Sequence, residues 1–186
     1  MSRTLKEKCM DKDFSLPFQP GFKIDARYAL LVGATVMTYA RFESTVVDII
    51  GFYEKGYRSG YYCKDMLMPS NLISDLSKIG KPEDKEDLKG ILEGFREAVN
   101  LRNAISHSVP CGGPNHYDVL LFQQGIKPRF KDNIKKPNPY LGVCFDYDLL
   151  LGKAKRMSEA YLVASKFFYA LRDRVSRGEE FSGEPC

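Results

Sequence analysis

The chain has 186 residues, enough for one domain of ordinary size and too few for two full ones. Apolar residues make up 44% and charged residues 28%, which excludes the low-hydrophobicity, high-charge profile of a disordered chain. Lys+Arg 28 against Asp+Glu 24 leaves a net charge of +4. That is short of the excess a dedicated duplex binder carries, so a polyanion partner is allowed but not demanded.

The best apolar run, residues 29–40 (ALLVGATVMTYA), is closed by Arg41 and Glu43. A transmembrane helix needs about 20 apolar residues, so none is expected, and no membrane partner. The opening MSRTLKEKCMDKD has no apolar core of a secretory signal, which predicts a cytoplasmic protein. The five cysteines (Cys9, Cys63, Cys111, Cys144, Cys186) are widely spaced and form no CxxC pair, so reduced thiols are expected rather than a disulfide framework. With two histidines, His107 and His116, the chain has little material for zinc chemistry. Cys111-x4-His116 is half a zinc site with no second half, so no metal and no cofactor is expected.

Residues 1–24 read as an irregular arm broken by Pro17, Pro20 and Gly21, with Phe14, Leu16, Phe18 and Phe22 fastening it to the body. Residues 25–55 read as a long helix with Asp25 as N-cap. Tyr28, Val32, Thr35, Tyr39, Phe42, Val46, Ile49 and Tyr53 recur at steps of three and four and make one apolar face. Gly33 on that helix suggests a close helix–helix approach, and Gly56 ends it. Residues 56–68 read as a Tyr-rich loop, whose Tyr57, Tyr61 and Tyr62 pack against the body rather than stack on bases. Pro69-Ser70-Asn71 then opens a short helix that Gly80 ends. Residues 82–109 read as the next long helix, with Glu83, Asp84, Glu86 and Asp87 at the positive end of its dipole and Leu88, Leu92, Phe95 and Val99 facing the core. The period changes over residues 117–146: strands at 118–123 and 126–130 read as a hairpin, and 140–147 as a third strand. Residues 148–177 read as the last long helix, capped by Asp148, and 178–186 as a flexible tail that frays. The expected fold is all-α. It is an up-down bundle of three long helices and a short one over residues 25–177, with a small β-hairpin insertion before the last helix.

One stretch does not fit a core. The stripe 88, 92, 95, 99 continues in step to Arg102 and Ser106. A charge aimed at a bundle interior costs several kcal/mol unless paired or solvated, so Arg102 either leaves the core or lines a polar cleft. Asn103 and His107 are four apart and share a face. Arg102 and His107 are about 140° apart on an ideal helix, so they meet only through the long Arg side chain and a helix loosened before Pro110.

Arg102-Asn103-x3-His107, at the end of a long helix of an all-helical chain, resembles the motif of the HEPN superfamily (higher eukaryotes and prokaryotes nucleotide-binding domains). Phe42-Glu43 within the first long helix strengthens the resemblance. The resemblance covers roughly residues 25–177. It implies a metal-independent endoribonuclease acting on RNA by 2′-hydroxyl attack, leaving a 2′,3′-cyclic phosphate and a 5′-hydroxyl. It implies a homodimer whose two motifs face one cleft, a defence or toxin setting, and an antitoxin or regulatory protein as partner. Some HEPN toxins carry Tyr two residues after the His; here that position is Val109, which leaves regulation through such a Tyr unsupported. A catalytically silent HEPN-like module that holds RNA, a nucleotide or a protein is the alternative.

The residue chemistry agrees. Histidine titrates near neutrality and can move a proton at working pH. Arginine is always charged and grips two phosphate oxygens. His107 is therefore the expected acid–base group, Arg102 the phosphate clamp and Asn103 the group that orients them. Ser106 and Glu43 are supporting candidates, Glu43 through a pair with Arg102. One motif histidine per chain favours two copies if an acid and a base are both needed. Lys127, Arg129 and Lys131 around Phe130, with Lys135 and Lys136 beyond, form a basic stretch suited to RNA phosphates, although charge runs are more often solvated. Asp146 and Asp148 read as a strand end and a helix cap rather than metal ligands.

Overall fold

The computed structural model describes residues 26–63, 68–106 and 147–183, with the strand residues 14–15, 23–24, 108–111, 120–123 and 144–145. The described chain is predominantly helical. Helix α1 runs over Ala26–Tyr53, α2 over Tyr57–Cys63 and α3 over Pro69–Leu76. A 3-10 turn at Pro82–Asp84 leads into α4, Lys85–Ser106, and α5 spans Tyr147–Ser176. Among the described residues no helix is long and apolar enough to cross a membrane.

The chain divides into two compact units, and the boundaries fall inside the three long helices. The first unit comprises Met1–Thr35 and Arg102–Ala154, the second Val36–Leu101 and Lys155–Cys186.

The second unit carries a dense apolar core. Phe42, Val46, Ile49, Ile50 and Phe52 of α1, Leu72 and Leu76 of α3, Ile91 and Phe95 of α4 and Leu171 of α5 are all but sealed from solvent. Phe42 meets Phe95 edge-on at 5.3 Å, a favoured aromatic geometry. The close helix approach occurs at Gly94 rather than Gly33. A Cβ on Gly94 would stand 2.6 Å from that of Ala160, whereas among the described residues nothing lies within 4 Å of one built on Gly33. Along α4 the buried stripe is 88, 91, 95 and 98–99. Ile91 takes the core position expected of Leu92, which is only half-buried.

Three further differences have local causes. The expected loop at 56–68 contains α2, whose weak intrinsic propensity is offset by tertiary anchors: the Tyr57 hydroxyl donates to Asp75 Oδ2 at 2.8 Å and the Tyr61 hydroxyl to Glu43 Oε1 at 2.5 Å. Helix α4 stops at Ser106, short of the expected 109, and a strand begins at Ser108. Pro110 disfavours helical backbone at Val109, a β-branched residue suited to a strand. Asp148 lies inside the first turn of α5 rather than capping it, where its charge suits the positive end of the helix.

The first unit holds the strand ladders. Phe14–Ser15 (β1) pairs antiparallel with Lys23–Ile24 (β2), a short pairing inside the expected irregular arm. Ser108–Cys111 (β3), Leu120–Gln123 (β4) and Cys144–Phe145 (β5) pair antiparallel in the order β3-β4-β5. β4 therefore pairs with β3 on one edge and with β5 on the other. Pro110, which cannot donate to a ladder, sits on an edge strand. The hairpin partner expected at 126–130 lies outside the described residues, as do Asp25, Asp146 and the loop between β4 and β5.

The tail does not fray through residue 183. The Gly183 amide donates to the Phe52 carbonyl at 3.0 Å, and Phe181 meets Phe52 and Tyr53 edge-on at 5.7 and 5.6 Å.

Candidate nucleic-acid site

The expected site begins in the last turns of α4, within the first unit. Arg102 is half-buried, in step with the buried positions 95, 98 and 99. Its guanidinium Nη1 donates to Asn103 Oδ1 at 3.0 Å. Neighbouring helix positions do not face each other, so the bond depends on the reach of the Arg side chain back to the amide. It orients both groups: the guanidinium is held by a neutral acceptor, and the Asn103 amide presents its nitrogen as a donor. Asn103 is half-buried as well, and Ser106 is exposed.

Glu43 belongs to the second unit, where its carboxylate accepts the Tyr61 hydroxyl and ties α2 to α1. The hydroxyl partner explains why an acid is half-buried beside Phe42 on a core helix. His107, the expected acid–base group, lies outside the described residues, as do His116, Lys127, Arg129 and Lys131. Of the expected set, the structure brings Arg102 and Asn103 together.

A second arginine, absent from the sequence reading, organises the polar chemistry of the second unit. Arg174, in the last turn of α5, donates through Nη1 to Asp84 Oδ1 at 2.6 Å. Its Nε and Nη2 grip both oxygens of Glu179 at 2.7 and 2.6 Å, and Nη2 lies 3.4 Å from Glu83 Oε1. Tyr53 donates to the other Asp84 oxygen at 2.7 Å. Asp84 is 3% exposed, so these bonds stabilise a charge that would otherwise be prohibitive there. Burial and the Asp84 carboxylate both raise the Tyr53 pKa, keeping its hydroxyl a donor. Burial, then Asp75, do the same for Tyr57. Lys81 bonds Glu179 Oε1 at 2.5 Å and the Glu180 carbonyl at 3.0 Å, and its ammonium lies 4.2 Å from the centre of the Phe181 ring. Arg174 and Lys81 together hold the Glu179 carboxyl down to about 2.

A cleft of about 310 Å³ beside this network is lined by Tyr53, Glu54, Lys78, Ile79, Gly80, Lys81, Phe181 and Ser182. Its lysines are already engaged, Lys78 by Asp75 and Lys81 by Glu179. The cleft marks the seam where the tail docks. The sequence carried a faint signal of this clamp, an acidic pair followed by an aromatic at 179–181, but nothing local ties those residues to Asp84.

Comparison with known protein families, with curated proteins and with solved structures finds no match.

Proposed function

We propose that this chain is a metal-independent endoribonuclease of the HEPN type. The observation that carries the reading is the Arg102–Asn103 bond in the last turns of α4, which joins a half-buried guanidinium to the amide next to it in the motif. In this reading the helices form an up-down bundle with a β insertion ahead of the last one. The protein acts as a cytoplasmic homodimer on RNA in a defence or toxin system, with an antitoxin or regulatory protein as partner. Arg102 clamps the scissile phosphate as charge builds on its oxygens, and Asn103 donates to a phosphate oxygen or to His107. His107 moves the proton of the attacking 2′-hydroxyl, and its copy in the second subunit protonates the leaving 5′-oxygen. Lys127, Arg129 and Lys131 hold flanking phosphates, and Ser106 and Glu43 support the site.

The test is incubation with mixed RNA in EDTA, with Arg102→Ala and His107→Ala alongside. The expected result is cleavage to 2′,3′-cyclic phosphate ends by the unaltered protein, reduced about 10²-fold or more in each variant. Cleavage that persists in both variants, or that requires added metal, overturns the mechanism. Salt-sensitive RNA binding without cleavage replaces it with the silent binding module.

A further inference from the structure

Tyr169, on α5 within the second unit, is the one aromatic side chain among the described residues that stands exposed, at 59%. Its ring is nevertheless supported. Phe168 meets it edge-on at 5.4 Å, and Phe168 in turn meets the buried Phe52 edge-on at 5.8 Å. The Arg172 guanidinium lies 5.9 Å from the centre of the Phe168 ring, within cation–π range. Lys166 and Arg172 stand at steps of three to either side of Tyr169, the spacing of neighbours on a helix surface. Both are exposed, and among the described residues neither lies within ion-pair distance of a carboxylate. Asp173 is the acid nearest to the ring along the helix. It is outnumbered by Lys166, Arg172 and Arg177, all exposed.

We propose that this face binds a single-stranded nucleic acid, with one base stacked on Tyr169 and the phosphates on its two sides held by Lys166 and Arg172. The proposal rests on the RNA reading given above and deepens it by naming the form of the substrate. A duplex has its bases already stacked on one another and offers this surface its phosphates alone. A single strand offers both a π-face for the ring and a backbone for the cations. Every base has such a face, so the contact reads no sequence. The ring is held in place by Phe168 before any ligand arrives, and that preorganisation favours binding.

The test is fluorescence anisotropy of the full chain with a labelled 2′-O-methyl oligoribonucleotide of mixed sequence, which lacks the attacking hydroxyl and is not consumed. Tyr169→Ala should weaken binding about 10-fold, and Tyr169→Phe should stay within about threefold of the unaltered protein, because its ring still stacks. Lys166→Ala and Arg172→Ala should each lower the slope of log affinity against log salt by about 0.7. The same sequence as a duplex should be indifferent to Tyr169→Ala. All three positions are exposed, and circular dichroism checks that the fold is kept. An alanine variant at 169 that binds the single strand as tightly as the unaltered protein overturns the proposal. An equal loss in the phenylalanine variant, an equal loss for the duplex, or salt slopes unchanged in both cation variants overturns it too. So does a probe that binds none of the proteins, which would leave the face to a protein partner. Cleavage of unmodified RNA is read separately. Cleavage with no effect of Tyr169 on the probe removes this site and keeps the nuclease, whereas Tyr169-dependent binding without cleavage keeps this site and removes the nuclease.

Discussion

Arg174 and Arg102 both lie in the closing turns of long helices, and the bonds described for them differ in kind. Arg174 meets three carboxylates and spends its guanidinium on Asp84 and Glu179. Arg102 is held by the uncharged amide of its neighbour. The first arrangement is that of a structural clamp: it fixes the 3-10 turn before α4, the end of α5 and the tail in one network. The second joins two side chains of the motif that the proposed reaction assigns to the phosphate. The contrast makes the two arginines separable by experiment, because one should act on stability and the other on chemistry.

The largest effect is expected at the clamp. Arg174→Ala leaves Asp84 charged and buried with only the Tyr53 hydroxyl of its present bonds. Removing one partner of such a pair destabilises by about 3 to 5 kcal/mol. Urea unfolding should show this as a lower midpoint with an unchanged slope. A loss below about 1 kcal/mol would mean that Asp84 is accommodated without Arg174, and the contrast between the two arginines would lose its structural half.

At Arg102 the expected outcome is reversed. Arg102→Lys keeps the charge and removes the planar guanidinium that bonds Asn103 and grips two phosphate oxygens. Cleavage of RNA should fall about 10²-fold, by more than the loss of folded protein seen in urea unfolding accounts for. Full activity in the Lys variant would reduce the role of Arg102 to that of a point charge.

The helices were legible in the sequence because each carries its own periodicity. Tyr39, Phe42, Val46 and Ile49 specify the buried face of α1 without reference to any other element, and Leu150, Met157, Ala164 and Leu171 do the same for α5. What escaped was decided by partners far along the chain. Helix α2 is anchored by Asp75 and Glu43, both 18 positions from the tyrosines that bond them. Asp84 read as a dipole charge at a helix start, since nothing near it announces Arg174, 90 positions away. The tail read as frayed because Gly, Glu and Ser are tail residues by composition. Its docking depends on Phe181 and on a glycine at 183, where a Cβ would come 2.0 Å from the Gly51 carbonyl oxygen. At the candidate site the motif Arg102-Asn103 was legible as spacing, while the bond between the two side chains was not.

A smaller effect is expected at Tyr61→Phe. The substitution removes the hydroxyl that Glu43 accepts while keeping the ring. A hydrogen bond to a charged group contributes about 1.5 kcal/mol or somewhat more, and urea unfolding should register that loss. No change in stability would mean that the bond to Tyr61 is not what holds Glu43 half-buried on α1.

The smallest effect is one of pH, and it tests whether the clamp is electrostatic. The bidentate bond from Arg174, then the bond from Lys81, lower the Glu179 carboxyl from an ordinary 4.5 to about 2. A carboxyl whose folded pKa is depressed contributes stability that is complete above its unfolded value and is lost as pH falls toward its folded one. The stability difference between the unaltered protein and Glu179→Gln should therefore be constant above about pH 5 and shrink steadily between about pH 4.5 and about pH 2. Glutamine keeps an acceptor oxygen for Arg174, and taking the difference cancels the titration of every carboxylate the two proteins share. A difference that stays level through that window would mean that Phe181 and the backbone bond at Gly183 dock the tail, with the ion pair contributing only direction.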